Sequence, residues 1–203
     1  MSDVRWRVLG LRWTFRLIFG LPRPVRRLLA GPPIRRDGQV LDMDLQLLGR
    51  VGALLESSDG GTLDQSVLAE QRRQADFAAE VAAPPGPDDI ETRDLTLSGP
   101  TGLLRARLYV PPSAPELSGL LVYYHGGGFV VGSIASTDPL CRLLAAQSGV
   151  RLLSIEYRLA PEYPYPAGLE DAIAGYRAVR ERAEELGADP SLIAVGGDSA
   201  GAN

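Results

Sequence analysis

From residue 90 onward the apolar residues first alternate with polar ones, then run together, then recur every three or four positions. Each change of period predicts a change of element. "IETRDLTLS" (90–98) and "GLLRARLYV" (102–110) alternate as half-buried strands do, and "GPT" between them predicts a turn, so the two form an antiparallel pair. "GLLVYYH" (119–125) is an almost unbroken apolar and aromatic run, the pattern of a strand buried on both faces. "STDPLCRLLAAQSG" (136–149) predicts a helix capped by Ser136 or Thr137 and closed by Gly149, and "VRLLSIEYRL" (150–159) predicts another buried strand. In residues 165–187, Leu169, Ile173, Tyr176, Val179, Ala183 and Leu186 share one stripe, which predicts a helix of about six turns ending at Gly187. "SLIAVGGDSAG" (191–201) is a short apolar strand leading into a glycine-flanked serine. Strand, helix, strand, helix, strand behind a hairpin predicts an α/β fold: a mostly parallel sheet with an antiparallel first hairpin and helices on both faces.

Before residue 90 the pattern is helical. Leu41, Leu45, Leu48 and Leu55 fall on a broadly common face, and residues 62–81 open with Thr62 and Gln65 at capping-box spacing, so two amphipathic helices are predicted. "AAPPGPDD" (82–89) has a linker's composition. The resulting division is a basic arm over 1–36, a helical segment with linker over 37–87, and an α/β domain over 88–203.

Charge sharpens that division. The arm holds nine arginines against Asp3 alone, net +8, whereas the remainder holds 12 arginines against 24 acidic residues, net −12. Trp6, Leu9, Trp13 and Leu17 can share a helical face among the arginines, the composition of a segment that contacts a membrane surface weakly; a poorly ordered leader or a helix packed over the body has the same composition. Arginines interrupt every stretch that approaches the roughly 18 apolar residues of a membrane span. A single cysteine, Cys141, excludes an internal disulfide and suits a cytoplasmic chain, with membrane association through residues 1–36 one of the three readings of the arm.

Two motifs carry chemistry. Gly197, Asp198, Ser199, Ala200 and Gly201 fit G-x-S-x-G directly after a strand, where a sharp turn into a helix would lift the serine hydroxyl above the sheet edge and aim the Ala200 amide at an attacked carbonyl. His125, Gly126, Gly127 and Gly128 follow another buried strand, at the sheet end where open α/β folds place ligands, and three glycines leave backbone N–H groups able to meet an oxyanion. The run lacks G-x-G-x-x-G spacing and a Gly-Lys-Ser/Thr ending, so no phosphate-bearing cofactor is implied; no metal, other cofactor or nucleic-acid partner is expected. His125 is the only histidine. It could act as a base, but its place before the loop favours holding that loop in shape.

"HGGGFVVGS", "YRLAPEYPYPA", "EDAIAGYRAV" and "VGGDSAGAN", in this order and spacing, resemble the successive signatures of the hormone-sensitive lipase family of α/β-hydrolases, the group of bacterial carboxylesterases and lipases. The resemblance covers about residues 88–203, and residues 38–80 are similar to that family's variable cap helices. It implies a carboxylic ester hydrolase acting on small-molecule esters, with Ser199 as nucleophile, the amides of Gly127, Gly128 and Ala200 as oxyanion hole, and Asp198 as the serine's neighbour rather than a triad acid. Ala202 departs from the family's more usual glycine. In the family the triad Asp and His follow the serine, so the 203 residues are expected to be a fragment lacking both and inactive alone. The plant gibberellin receptors resemble the same family, which leaves a non-catalytic small-ligand-binding module as the alternative.

Overall fold

The computed structural model describes residues 10, 13–55, 65–82 and 86–203, in two compact units, residues 1–68 and 69–203. Trp6, Leu9 and Thr62 lie outside the described residues.

In the first unit a helical stretch over residues 13–20 precedes helix α1 (Arg23–Ala30), which starts at a proline-rich turn and ends at Gly31. A two-residue hairpin, β1 (Arg35–Arg36) with β2 (Gln39–Val40), leads to α2 (Met43–Leu55). Asp42 caps α2, its Oδ1 accepting from the N–H groups of Asp44 and Leu45 at 2.9 and 3.2 Å. Of the leucine stripe expected to be buried here, Leu41, Leu45 and Leu48 are exposed, the Leu55 side chain lies outside the description, and Leu47 and Gln46 are the buried pair. Gln46 earns burial by satisfying three backbone groups, donating to the carbonyls of Ala30 and Pro32 and accepting from the N–H of Ile34. One polar anchor therefore fixes which face of α2 turns inward.

Helix α3 (Gln65–Ala82) crosses the boundary between the units. The second unit is built on a five-stranded sheet in the order β3-β4-β6-β5-β7, comprising β3 (Glu91–Gly99), β4 (Gly102–Val110), β5 (Ser118–Tyr124), β6 (Arg151–Ile155) and β7 (Ala188–Gly197). The β3–β4 hairpin is antiparallel, β4 pairs antiparallel with β6, and β6, β5 and β7 run parallel, as the changes of period predict.

Strand alternation divides the core between two helices. Leu104, Ala106, Leu108, Leu120, Val122, Tyr124, Leu153 and Ile155 face α5 (Ala167–Glu181), and Tyr109, Tyr123 and Leu152 face Cys141 and Ala145 of α4 (Ile134–Ser148). Ser133 caps α4 in a reciprocal box with Ser136, so the helix starts a little earlier than expected, and Ser136 is the third residue rather than the cap.

Helix α5 differs more from its expectation. It spans 15 residues, and its inward face is Ala167, Asp171, Gly175, Ala178 and Val179, while Leu169 and Ile173 are exposed. Small residues let the helix lie close to β6, and Asp171 is tolerated in that face because Arg158 closes on it. Arg158 Nε and Nη2 donate to the carboxylate at 2.8–3.0 Å, and the Arg158 N–H adds a bond at 2.8 Å.

Two outcomes follow from this packing. Asp171→Ala leaves the Arg158 guanidinium without its buried partner and is expected to cost about 3 kcal/mol in urea unfolding, whereas an unchanged midpoint would contradict the anchoring role. Burial pushes the Cys141 thiol up to about 12, so the native chain should resist a thiol reagent at about pH 8 and react once unfolded in urea.

Candidate active site

The site lies at the carboxyl ends of β5 and β7, which run side by side with Tyr124 opposite Gly197. Past Gly197 the chain turns through Asp198, and Ser199 adopts φ +50° at the start of a short 3₁₀ turn, Ser199–Ala202. A non-glycine residue in that left-handed region is strained, and such turns recur where a side chain must be presented outward. Ser199 is exposed and Ala200 is buried beneath it. The turn is possible because a side chain at Gly201 would run into the Tyr124 carbonyl, and one at Gly197 into the Gly201 carbonyl.

Past Tyr124 the other strand enters the glycine loop, where Gly127, Gly128 and Phe129 have φ of +119°, +62° and +63°. A side chain at Gly127 would also meet the Val131 carbonyl, so only glycine fits. Among the described residues the N–H groups of Gly127, Gly128 and Ala200 donate to no acceptor, although Gly127 accepts from Val130 and Val131.

Turn and loop are fastened to each other by Asp198. Its Oδ1 accepts from the Tyr123 hydroxyl at 2.7 Å and from the Gly126 N–H at 2.9 Å, and Gly126 lies so close to the carboxylate that a side chain there would overlap Oδ2. Burial, followed by the hydrogen bond to Asp198 and its charge, raises the Tyr123 hydroxyl well above its ordinary value, which keeps it a donor.

His125 is fully buried, stacked on Tyr157 at 4.3 Å, with Nδ1 2.8 Å from the Gly126 carbonyl. A carbonyl only accepts, so Nδ1 carries the proton; Nε2 has no partner among the described residues. The Tyr157 hydroxyl, pushed up to about 12 mainly by burial, donates to the His125 carbonyl at 2.6 Å. This ring is walled into the base of the loop and braces it.

The far end of the loop is held by residues that the motifs did not single out. Arg72 of α3 donates through Nε to the Val130 carbonyl at 2.8 Å, through Nη2 to the Ala160 carbonyl at 3.0 Å, and through Nη1 and Nη2 to the Glu162 carboxylate, both at 2.8 Å. One turn later Asp76 accepts from Ser133 Oγ at 2.8 Å, and Glu156 accepts from the Ile134 N–H at 3.0 Å. Arg72 and Asp76 at i, i+4 were visible only as polar positions on a helix.

A cleft of about 1430 Å³ runs beside this assembly, lined by Tyr124, Tyr157, Leu169, Ile173, Val195 and Ala200 among others. Ser199, Gly127 and Gly128 are not in its lining. It lies along the apolar flank of strand β7 and helix α5 and reaches the serine turn at Gly197, Ala200 and Gly201 and the glycine loop at Phe129. Among the described residues no group of His, Cys, Asp and Glu could hold a metal ion.

Residues 121–203 match the family described as alpha/beta hydrolase fold. The fold is that of the α/β-hydrolases. The chain is 42% identical over 186 residues to the carboxylic ester hydrolase LipN of Mycobacterium tuberculosis, covering 90% of this chain and 48% of that protein. It is 42% identical over 135 residues to the ethyl acetate hydrolase of Pseudomonas putida, covering 65% of this chain and 42% of that protein. Its fold matches an ester hydrolase from the metagenome of Lake Arreo with TM-score 0.69 and 41% identity, over 77% of this chain and 50% of that one. The thermophilic carboxylesterase EstE1, cloned from a metagenomic library, matches with TM-score 0.61 and 47% identity, over 66% and 46% of the two chains. The chain thus spans about half the length of these relatives or somewhat less.

Asp198→Ala removes the acceptor shared by Tyr123 and Gly126 and should cost about 2 kcal/mol. Hydrogen exchange of the amides in 126–129 should accelerate at least about tenfold while β6 stays protected. Exchange that accelerates everywhere equally would show that Asp198 stabilises the fold at large rather than this junction.

Proposed function

We propose that the whole protein hydrolyses small carboxylic esters through an acyl-enzyme on Ser199, with the N–H groups of Gly127, Gly128 and Ala200 stabilising the oxyanion. The naming of the relatives as ester hydrolases supports the reaction class. The observation that carries the site assignment is the Asp198 junction, which makes the serine turn and the unpaired glycine-loop amides one piece. In the proposed reaction Ser199 Oγ bonds to the ester carbon as its proton passes to a base. Negative charge then gathers on the former carbonyl oxygen, where each donor is worth about 3 kcal/mol. Collapse expels the alcohol, and water releases the acid.

A serine hydroxyl needs a base at neutral pH, and His125 is enclosed and tied elsewhere. The base is therefore assigned to the part of the relatives' length that these 203 residues do not span.

The test compares residues 1–203 with the product of the longer reading frame on p-nitrophenyl butyrate. The longer product should turn over, and Ser199→Ala should reduce kcat by at least about a thousandfold. Residues 1–203 alone should show no Ser199-dependent turnover. Activity retained in the longer Ser199→Ala variant would refute the nucleophile, and ester binding without turnover would favour the ligand-binding alternative.

A further inference from the structure

The first unit carries an outward apolar surface that ester hydrolysis does not use. On the helical stretch over 13–20, Trp13 and Leu17 lie one turn apart and are 62% and 68% exposed. On α1, Val25, Leu28 and Leu29 sit at i, i+3 and i+4, with Leu28 81% exposed, while Ala30 is the buried residue. A water-soluble helix ordinarily turns such a stripe inward, and contiguous exposed apolar side chains mark a surface that meets something.

The charges beside this stripe say what it meets. Residues 13–36 contain six arginines and no acidic residue. Arg26 is committed within the unit, donating to the Leu21 carbonyl at 3.0 Å and pairing with Asp44. Arg23, Arg27 and Arg35 form no ion pair among the described residues, and Arg16 lies over the Trp13 ring at 5.9 Å.

We propose that residues 13–36 dock on an anionic phospholipid bilayer, with Trp13, Leu17, Val25, Leu28 and Leu29 entering the headgroup–acyl boundary and the arginines at the phosphates. Two features select a lipid surface over other polyanions. A nucleic-acid backbone would pair with the arginines but leave Leu17 and Leu28 in water, whereas a bilayer accepts both classes of side chain at adjacent depths. The acidic remainder of the chain, net −12 from 12 arginines and 24 acidic residues, is repelled by an anionic surface that attracts the arm, so approach is arm first. The eight residues of α1 extend only about 12 Å, and no described helix is long and apolar enough to cross a membrane, so the contact lies in the interface plane.

The proposal does not rest on ester hydrolysis, and its test needs no catalysis. Both tryptophans are in the arm, at 6 and 13, so tryptophan emission reports on the arm alone. Residues 1–203 are mixed with sucrose-loaded vesicles of phosphatidylcholine, pure or with about three-tenths phosphatidylglycerol, and read by co-sedimentation and emission. Anionic vesicles should bind at least about tenfold better than neutral ones, with a blue shift, and raising salt from about 0.1 to 0.5 M should weaken binding at least about tenfold. Leu17→Asp with Leu28→Asp should abolish the blue shift, and Arg23→Gln with Arg27→Gln should lower affinity about tenfold or more. These four side chains are exposed or unpaired, and unchanged far-ultraviolet circular dichroism confirms that each variant folds. Equal binding to neutral vesicles, or binding unaffected by both double variants, overturns the proposal. So does capture by heparin that the leucine variants leave intact, which assigns the arm to polyanions, or pelleting without vesicles that those variants cure, which assigns it to a second copy.

Discussion

The candidate site depends on one carboxylate. Asp198 accepts from Tyr123, the penultimate residue of β5, and from Gly126, the first residue of the glycine loop, and it can do so only because β7 lies in parallel register beside β5 with Tyr124 opposite Gly197. A slip of one residue would turn Asp198 to the other face of the sheet and leave a buried N–H and a buried hydroxyl unpaired. The apolar pairs Leu120 with Ile193 and Val122 with Val195 thus set, through register, the geometry of polar groups several residues further on.

Around that junction, polar interactions are concentrated at the ends of the glycine loop. Asp198 holds the entrance, Arg72 holds the Val130 carbonyl at the exit, Phe129 accepts from the Ala160 N–H at 2.8 Å, and Asp76 and Glu156 fix the start of α4. The amides of Gly127 and Gly128 are left without acceptors among the described residues. A loop clamped at both ends with unspent donors in the middle is preorganised, because it need not rearrange to meet a negatively charged group. Arg72 ties two loops at once, and Glu162, whose carboxyl is held below its usual range chiefly by the Arg72 hydrogen bond, completes the fork.

What could be read from the sequence follows the range of the interactions. Strands, their order along the chain and the placing of both glycine motifs at strand ends depend on local period and local turn chemistry, and they emerged from the residues directly. The faces of α2 and α5 did not. Counting large apolar residues placed Leu45, Leu48, Leu169 and Ile173 inward, but Gln46 and Asp171 have hydrogen-bond partners that turn the helices the other way. A buried polar side chain with partners outranks a leucine stripe, and its partners lie elsewhere in sequence. Arg72 and Asp76 were missed for the same reason: spacing shows which residues share a face but not which loop that face meets.

The chemistry divides along the same line. Positioning in this site is done by backbone: positive φ at Gly127, Gly128 and Ser199, and close approaches at Gly197 and Gly201, all encoded within a few residues of one another. Proton transfer in the proposed reaction is different, because it needs a titratable side chain brought from a distance. The Tyr123 and Tyr157 hydroxyls are held in their neutral form by burial, and His125 is stacked, enclosed and bonded to the loop it precedes. The histidine nearest in sequence to the glycine motif is therefore part of the scaffold. Its burial, more than its identity, separates a group that shapes the glycine loop from the base that the proposed Ser199 nucleophile would require.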